Sequence, residues 1–160
     1  MLKIQRLHPE EGNRLRQIRL ASLIDAPDAF AGTHEQAMQR AAASWSKQIR
    51  ELPTFVAVLD GMDAGMVRTA PATDRQGAAF ILSMWVAADC RGVGVGDALM
   101  DAAIAWARTQ DLAELVLDVG VDNMAAIALY SRKGFRATGE TGALPPPREH
   151  VGEQRMALRL

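Results

Sequence analysis

The segment Arg91-Gly92-Val93-Gly94-Val95-Gly96 sets three glycines at alternate positions. It follows an apolar run, Ala78 to Val86, and leads into a run from about Val95 to Thr109. In the second run Ala98, Leu99, Ala102, Ala103 and Trp106 recur at helical spacing. The order is strand, tight loop, helix. Glycines without Cβ atoms leave the peptide N–H groups free to turn toward an anion, and the following helix adds the positive end of its dipole. Such a loop is suited to holding a phosphate. No Lys-Ser or Lys-Thr follows the glycines, which excludes the loop of a P-loop nucleotidase. The loop also stands far from the first strand, and no acidic residue sits where a dinucleotide fold holds a ribose.

A chain of 160 residues suits one domain, and a hydrophobic fraction of 49% is enough for a core. The formal net charge is -1, from 18 basic and 19 acidic residues, which argues against broad nucleic-acid binding. The single cysteine, Cys90, excludes an internal disulfide and suits a reducing compartment. The start, Met1 to Arg6, lacks the apolar centre of a signal peptide. The longest apolar stretch, around Ala78 to Ala88, falls short of the roughly 20 residues of a membrane span. The expectation is a soluble, cytoplasmic protein with neither nucleic acid nor membrane as partner. His8, His34 and His150 are far apart, so no metal is expected.

Lys3 to His8 alternates polar and apolar residues and predicts a strand. Pro9 opens a helix with Leu15, Ile18 and Leu23 on its buried stripe, and Asp25-Ala26-Pro27-Asp28 ends it. A shorter helix is predicted from about Ala42 to Arg50, before Pro53. Thr54 to Leu59 and Ala64 to Ala70 form a hairpin around Asp60-Gly61. Ala113 to Val119 is a strand, Asn123 to Lys133 a helix stopped by Gly134, and Phe135 to Thr138 starts a strand. Gly139 to Gly152, with three consecutive prolines, reads as a loop before a last strand from about Gln154 to Leu160. The sum is a single mixed α/β domain with antiparallel strands first and a strand–helix–strand crossover later.

Residues Ile81 to Gly139 resemble the GNAT N-acetyltransferase superfamily. Its R/Q-x-x-G-x-G/A signature is met by Arg91, Gly94 and Gly96. Met84-Trp85-Val86, Leu117-Asp118-Val119, Asn123, Ala128-Leu129-Tyr130 and Gly134-Phe135 follow in matching order and spacing. Ala88 stands where many members carry proline. The resemblance implies a GNAT fold over residues 1–160. Its sheet would be mixed, mostly antiparallel, of six to seven strands splayed at the central pair, with about four helices. The coenzyme core would span about 78–139, with acceptor-side elements at about 9–52 and 139–152.

It further implies acetyl-CoA as cosubstrate. The amides of Arg91, Gly92, Val93, Gly94, Val95 and Gly96 would grip the pyrophosphate. Backbone groups of Met84, Trp85 and Val86 would bind the pantetheine arm as an added strand, with an N–H near Val86 polarising the thioester carbonyl. Asn123, a natural N-cap, would also contact the arm. Tyr130, two helical turns further on, would protonate the departing thiolate. The implied reaction is acetyl transfer to a primary amine by direct attack in a ternary complex. A catalytically silent acetyl-CoA sensor is the alternative.

A lysine-like amine of pKa ~10.4 is neutral in about one molecule in 10³ at pH 7, a penalty of ~4.6 kcal/mol unless a base assists. Asp118, twelve residues before Tyr130, matches the carboxylate position of ribosomal-protein N-terminal acetyltransferases and is the candidate base. It alternates with Leu117 and Val119 and so faces away from them. Asp28 and Glu35, in the segment after the first helix, are candidates for attracting a cationic acceptor. A small amine, an antibiotic, a free amino acid, a protein lysine and a protein N-terminus all remain open as acceptor. The Asp118–Tyr130 spacing leans toward a peptide N-terminus. Many relatives dimerise, so a homodimer is compatible with the resemblance.

Overall fold

The computed structural model describes all of residues 1–160. Seven strands form one sheet in the order β1-β2-β3-β4-β5-β7-β6. They are β1 (Leu2–Arg6), β2 (Thr54–Leu59), β3 (Met62–Pro71), β4 (Ala78–Val86), β5 (Glu114–Gly120), β6 (Arg136–Ala143) and β7 (Gly152–Arg159). Five α-helices accompany them: α1 (Gly12–Asp25), α2 (His34–Met38), α3 (Ala42–Glu51), α4 (Val95–Arg108) and α5 (Met124–Arg132). The single α/β domain and its mixed, mostly antiparallel sheet agree with expectation. The count of about four helices is corrected to five by α2. That helix is short, and its start is fixed by Thr33, whose hydroxyl accepts from the Gln36 amide while the Gln36 side chain reaches back.

Alternation along the strands sends side chains to two cores. One face carries Phe55, Ala57, Val67 and Leu117 against Leu99, Met100 and Ala103 of α4 and Tyr130 of α5. The other carries Val56 and Met66 against Leu15 and Ile18 of α1 and Trp45 and Ile49 of α3. Adjacent residues such as Met66 and Val67 thus serve opposite layers, as the two-residue period of a strand requires.

The middle of the sheet opens. The only parallel pair, β4 with β5, is held at Ala78↔Glu114, Ala79↔Leu115 and Phe80↔Val116, and the strands part beyond it. On its other edge β4 carries one residue too many opposite β3, because Met66 pairs with Trp85 while Arg68 pairs with Leu82. Ser83 within this bulge has φ 54. A bulge bends its strand and increases local twist, which turns Met84 to Val86 away from β5. The result is a V-shaped opening with unpaired strand edges on both sides.

One expected boundary moves. β6 runs on to Ala143, so the predicted loop from Gly139 is strand at first and loop only from about 144 to 151. Every residue of β6 is exposed, as on an outer edge, so no apolar alternation marked it.

Candidate active site

The opening between β4 and β5 is a cavity of about 870 Å³. Its walls come from α1, the segment after it, β3, β4, the glycine loop, β5, α5 and the start of β7. The cavity has two chemically different ends.

At one end stands the glycine loop. Gly92 and Gly94 have φ 79 and 92, and a Cβ on either would meet open space. Gly94 caps α4 in the left-handed conformation, which glycine adopts without the Cβ penalty. The first-turn N–H groups of this 14-residue helix therefore face the cavity without intrahelical partners. Gly96 serves packing instead, since a Cβ there would lie 3.1 Å from Leu129 Cδ2 and 3.5 Å from Met84 Cε. α4 is thereby drawn against both β4 and α5. Asp97 ties the same junction by bonding Arg132 at 3.0 Å and Lys133 at 3.3 Å.

The Arg91 side chain is committed away from that helix mouth. Its Nε donates to the Val86 carbonyl at 3.0 Å, and its Nη2 pairs with Asp25 at the end of α1. Trp85 Nε1 donates to the same Asp25 carboxylate at 2.9 Å. These donors hold the Asp25 carboxyl below its ordinary range, Trp85 first and Arg91 next. Sequence reasoning placed Arg91 at the loop but missed this latch. Val93 is 61% exposed and points to solvent, so only its backbone can serve the loop.

Asn123 caps α5, its Oδ1 accepting from the Ala126 amide at 3.3 Å, and it lines the cavity. Tyr130 lines the same wall, is 7% exposed, and packs its ring 6.1 Å from that of Phe135. Burial alone pushes its phenol upward, with no charge or hydrogen bond offsetting it. Tyr130 is therefore a neutral O–H donor at physiological pH, turned to the cavity without a protein partner.

A family model for the acetyltransferase (GNAT) family matches residues 19–135. The chain belongs to the GNAT acetyltransferase family. It is 31% identical to human N-acetyltransferase 8 over 90 residues, which are 54% of this chain and 40% of that protein. The chain thus spans well under half the length of that relative. Peptidyl-lysine N-acetyltransferase YjaB of Salmonella typhimurium is 25% identical over 143 residues, covering 88% of both. Among solved structures, a GNAT acetyltransferase of Streptococcus pneumoniae superimposes with a TM-score of 0.80 at 19% identity, covering 100% of this chain and 99% of that one. Salmonella typhimurium yncA, solved with its cofactor acetyl-CoA, gives 0.79 at 18% identity, covering 100% and 94%. The opened β4–β5 pair and the glycine loop stand within this shared GNAT fold.

The other end of this GNAT cleft departs from expectation. Asp28 and Glu35 are exposed and do not line it. The segment that carries them contributes Ala29, Phe30, Ala31 and Gly32 instead, an apolar wall. Phe30 faces inward to the α1–α3 core, which turns the neighbouring acids outward. Arg148, in the triple-proline loop, fixes that wall by donating to the carbonyls of Pro27, Phe30 and Ala31 at 2.6, 2.8 and 2.8 Å. The loop is thus a buttress, and its own prolines stay out of the cavity.

Asp118 does line the cleft, at 41% exposure, but both its oxygens are held by Arg155, at 2.9 Å from Nε and 3.2 Å from Nη2. Arg155 also meets Asp74 at 3.2 Å and Glu140 at 3.6 Å. Its guanidinium is pushed upward, chiefly by Asp118. Glu153, which sequence reasoning missed, lines the cavity on the same face of the sheet. It stands opposite Gly120, where no side chain crowds it. Partial burial, and then the Asp118 charge, push its carboxyl above the usual carboxylate range. No sequence signal singled it out, because the strand was expected only from about Gln154 and the pairing with Gly120 appears only in the folded ladder.

Proposed function

We propose that the chain transfers an acetyl group from acetyl-CoA to a primary amine by direct attack in a ternary complex. What supports this most is one juxtaposition: the anion-receiving mouth of α4 and the unpartnered Tyr130 hydroxyl open onto the same cavity. The family's general reaction fits it. The pyrophosphate lies on the amides of Arg91 to Gly96, and the pantetheine arm follows the free edge of β4 along Met84 to Val86. Asn123 flanks the arm from α5.

The neutral amine attacks the thioester carbonyl. A C–N bond forms, and the oxyanion is stabilised by a backbone N–H near Val86. The C–S bond then breaks, and Tyr130 passes its proton to the departing sulfur. A buried phenol holds its proton until a strong acceptor develops beside it, which suits a general acid. The amine's proton leaves toward the acidic pair on β5 and β7. Arg155 occupies both oxygens of Asp118, so Glu153 is the carboxylate that accepts it, with Asp118 raising its basicity. The products are the N-acetyl amine and free coenzyme A.

Thiol release measured with acetyl-CoA over a panel of amines tests the reading. Amine-dependent release that falls in Tyr130→Phe, with acetyl-CoA affinity kept, is the expected result. Tight binding with no release above hydrolysis on any amine leaves a silent binding module instead.

A further inference from the structure

Two arginines face the acceptor end of the cleft, and no carboxylate answers either. Arg68, on β3, is 8% exposed, and Arg19, on α1, is 9% exposed. Both line the cavity. Neither takes part in any salt bridge of the fold, whereas Arg155 meets Asp118, Asp74 and Glu140. Arg68 Nε and Nη2 donate to Ser83 Oγ at 3.1 and 2.8 Å, and Nη1 donates to Gln48 Oε1 at 2.7 Å. A guanidinium carries five N–H donors, so both terminal nitrogens keep a hydrogen to give. Arg19 makes one long bond, 3.5 Å to Ser22 Oγ, and stacks 4.5 Å over the Phe30 ring. Most of its donors are uncommitted.

This is an expensive arrangement in a folded protein. An isolated buried charge is strongly disfavoured, and removal from water is the first penalty here. Repulsion is the second. Arg40 acts on both groups and Arg19 acts on Arg68, and together these effects push Arg68 down to about 9 and Arg19 down to about 10. Both guanidinium groups remain charged at neutral pH. A fold that needed only filling here would use apolar side chains, as it does at Ala29, Phe30 and Ala31.

We propose that Arg68 and Arg19 bind the carboxylate of the acceptor, which is a small amino-acid-like zwitterion with an apolar body. This rests on the acetyl-transfer reading of the same cleft. The planar forks suit bidentate binding of a carboxylate. Phe30, Phe80 and Leu82 supply an apolar wall beside them. Glu153 supplies the carboxylate on the amine side. The reach is short. Arg68 is bonded to Ser83, and Ser83 lies three residues before Val86, at most about 10 Å along an extended strand. An amine and a carboxylate only a few bonds apart fit that span. A cationic acceptor such as a polyamine has nothing to answer the two guanidinium groups.

The test is acetyl transfer by the full chain over matched pairs: leucine against leucinamide, phenylalanine against phenylalaninamide, methionine against methioninamide. Each pair keeps the apolar body and exchanges the carboxylate for an amide, and rates are compared per neutral amine because the amide's α-amine is the less basic of the two. The expected result is a kcat/KM at least about 30-fold higher for the acids, chiefly through KM. In Arg68→Gln the preference collapses, the acids falling about 30-fold toward the amides, and Arg68→Lys falls in between. Equal or better use of the amides by the unaltered protein overturns the proposal, and needs no variant that folds. A protein that binds acetyl-CoA but acetylates neither series overturns the proposal if it acetylates another amine, and contradicts the catalytic reading if it acetylates none. Thermal shift then reads the arginines separately: stabilisation by the acids and not the amides keeps the proposal, and equal shifts overturn it.

Discussion

At the end of the cleft proposed for the coenzyme, the groups on offer belong to the backbone: the amides of the glycine loop and the first turn of α4, and the free edge of β4. The one charged side chain of the loop, Arg91, is turned away into a latch with Asp25. At the acceptor end the backbone recedes. Arg19, Arg68, Glu153 and Phe30 form the wall, each brought from a different element. Peptide amides recognise what every coenzyme A molecule carries. Side chains can be exchanged one at a time, so in the proposed function they would set which amine is accepted. The same division explains where the cost lies. The loop's strain is carried by glycines that feel none, while the acceptor wall holds two unneutralised buried charges.

Substitutions can break this contrast, and the largest effect is expected where the two ends meet. Tyr130→Phe should lower kcat by about 10² to 10³-fold while acetyl-CoA affinity, read by calorimetry, changes less than about twofold. A parallel loss of both would make Tyr130 a packing residue only. Next comes Glu153→Gln, with kcat/KM expected to fall about 10 to 10²-fold. The raised Glu153 carboxyl keeps its proton above the ordinary carboxylate range, so the acidic limb of the pH–rate profile should lie above that range. In Glu153→Gln that limb should vanish, and a limb that persists unchanged would shift the role back to Asp118.

Gly94→Ala forces a Cβ onto a residue at φ 92. It should cost about 1–2 kcal/mol of stability and weaken acetyl-CoA binding about tenfold, with acceptor preference unchanged. Arg19→Met probes the other end, because removing an uncompensated buried charge is neutral or stabilising by about 1–2 kcal/mol. A fall in chemical-denaturation stability of more than about 1 kcal/mol would show that Arg19 supports the fold. The smallest effect is expected from Arg91→Gln, whose acetyl-CoA affinity should change less than about threefold, because an exposed ion pair to Asp25 contributes little.

What the sequence made legible follows the same line. The β4–loop–α4 unit was readable because backbone recognition needs glycines at fixed positions, and glycines are visible in a string. α5 was readable for a similar reason, with Asn123 at its start and Gly134, at φ 97, at its end. Tyr130 was placed correctly on the cleft because helical spacing ties it to Asn123. The acceptor wall was not readable. Arg19 lies beside Ile18 on α1, and a charge there reads as solvated until the segment carrying Phe30 and Gly32 closes over it. Arg68 follows a buried valine on a strand, and only the Ser83 bulge and α3 show where its guanidinium lands. Asp28 and Glu35 do not reach the cavity, and charge alone does not say which way a residue between α1 and α3 faces. The Asp118 carboxylate was found, but Arg155, 37 residues away in sequence, was not.

A crystal structure of the protein with coenzyme A would show whether the backbone mouth of α4 and the Tyr130 hydroxyl serve one bound molecule. The expected result is the diphosphate on the amides of Arg91 to Gly96 and the sulfur within about 3.5 Å of the Tyr130 hydroxyl, with the Arg68 guanidinium not covered by the coenzyme. A diphosphate bound elsewhere, or a sulfur lying out of reach of Tyr130, would contradict it.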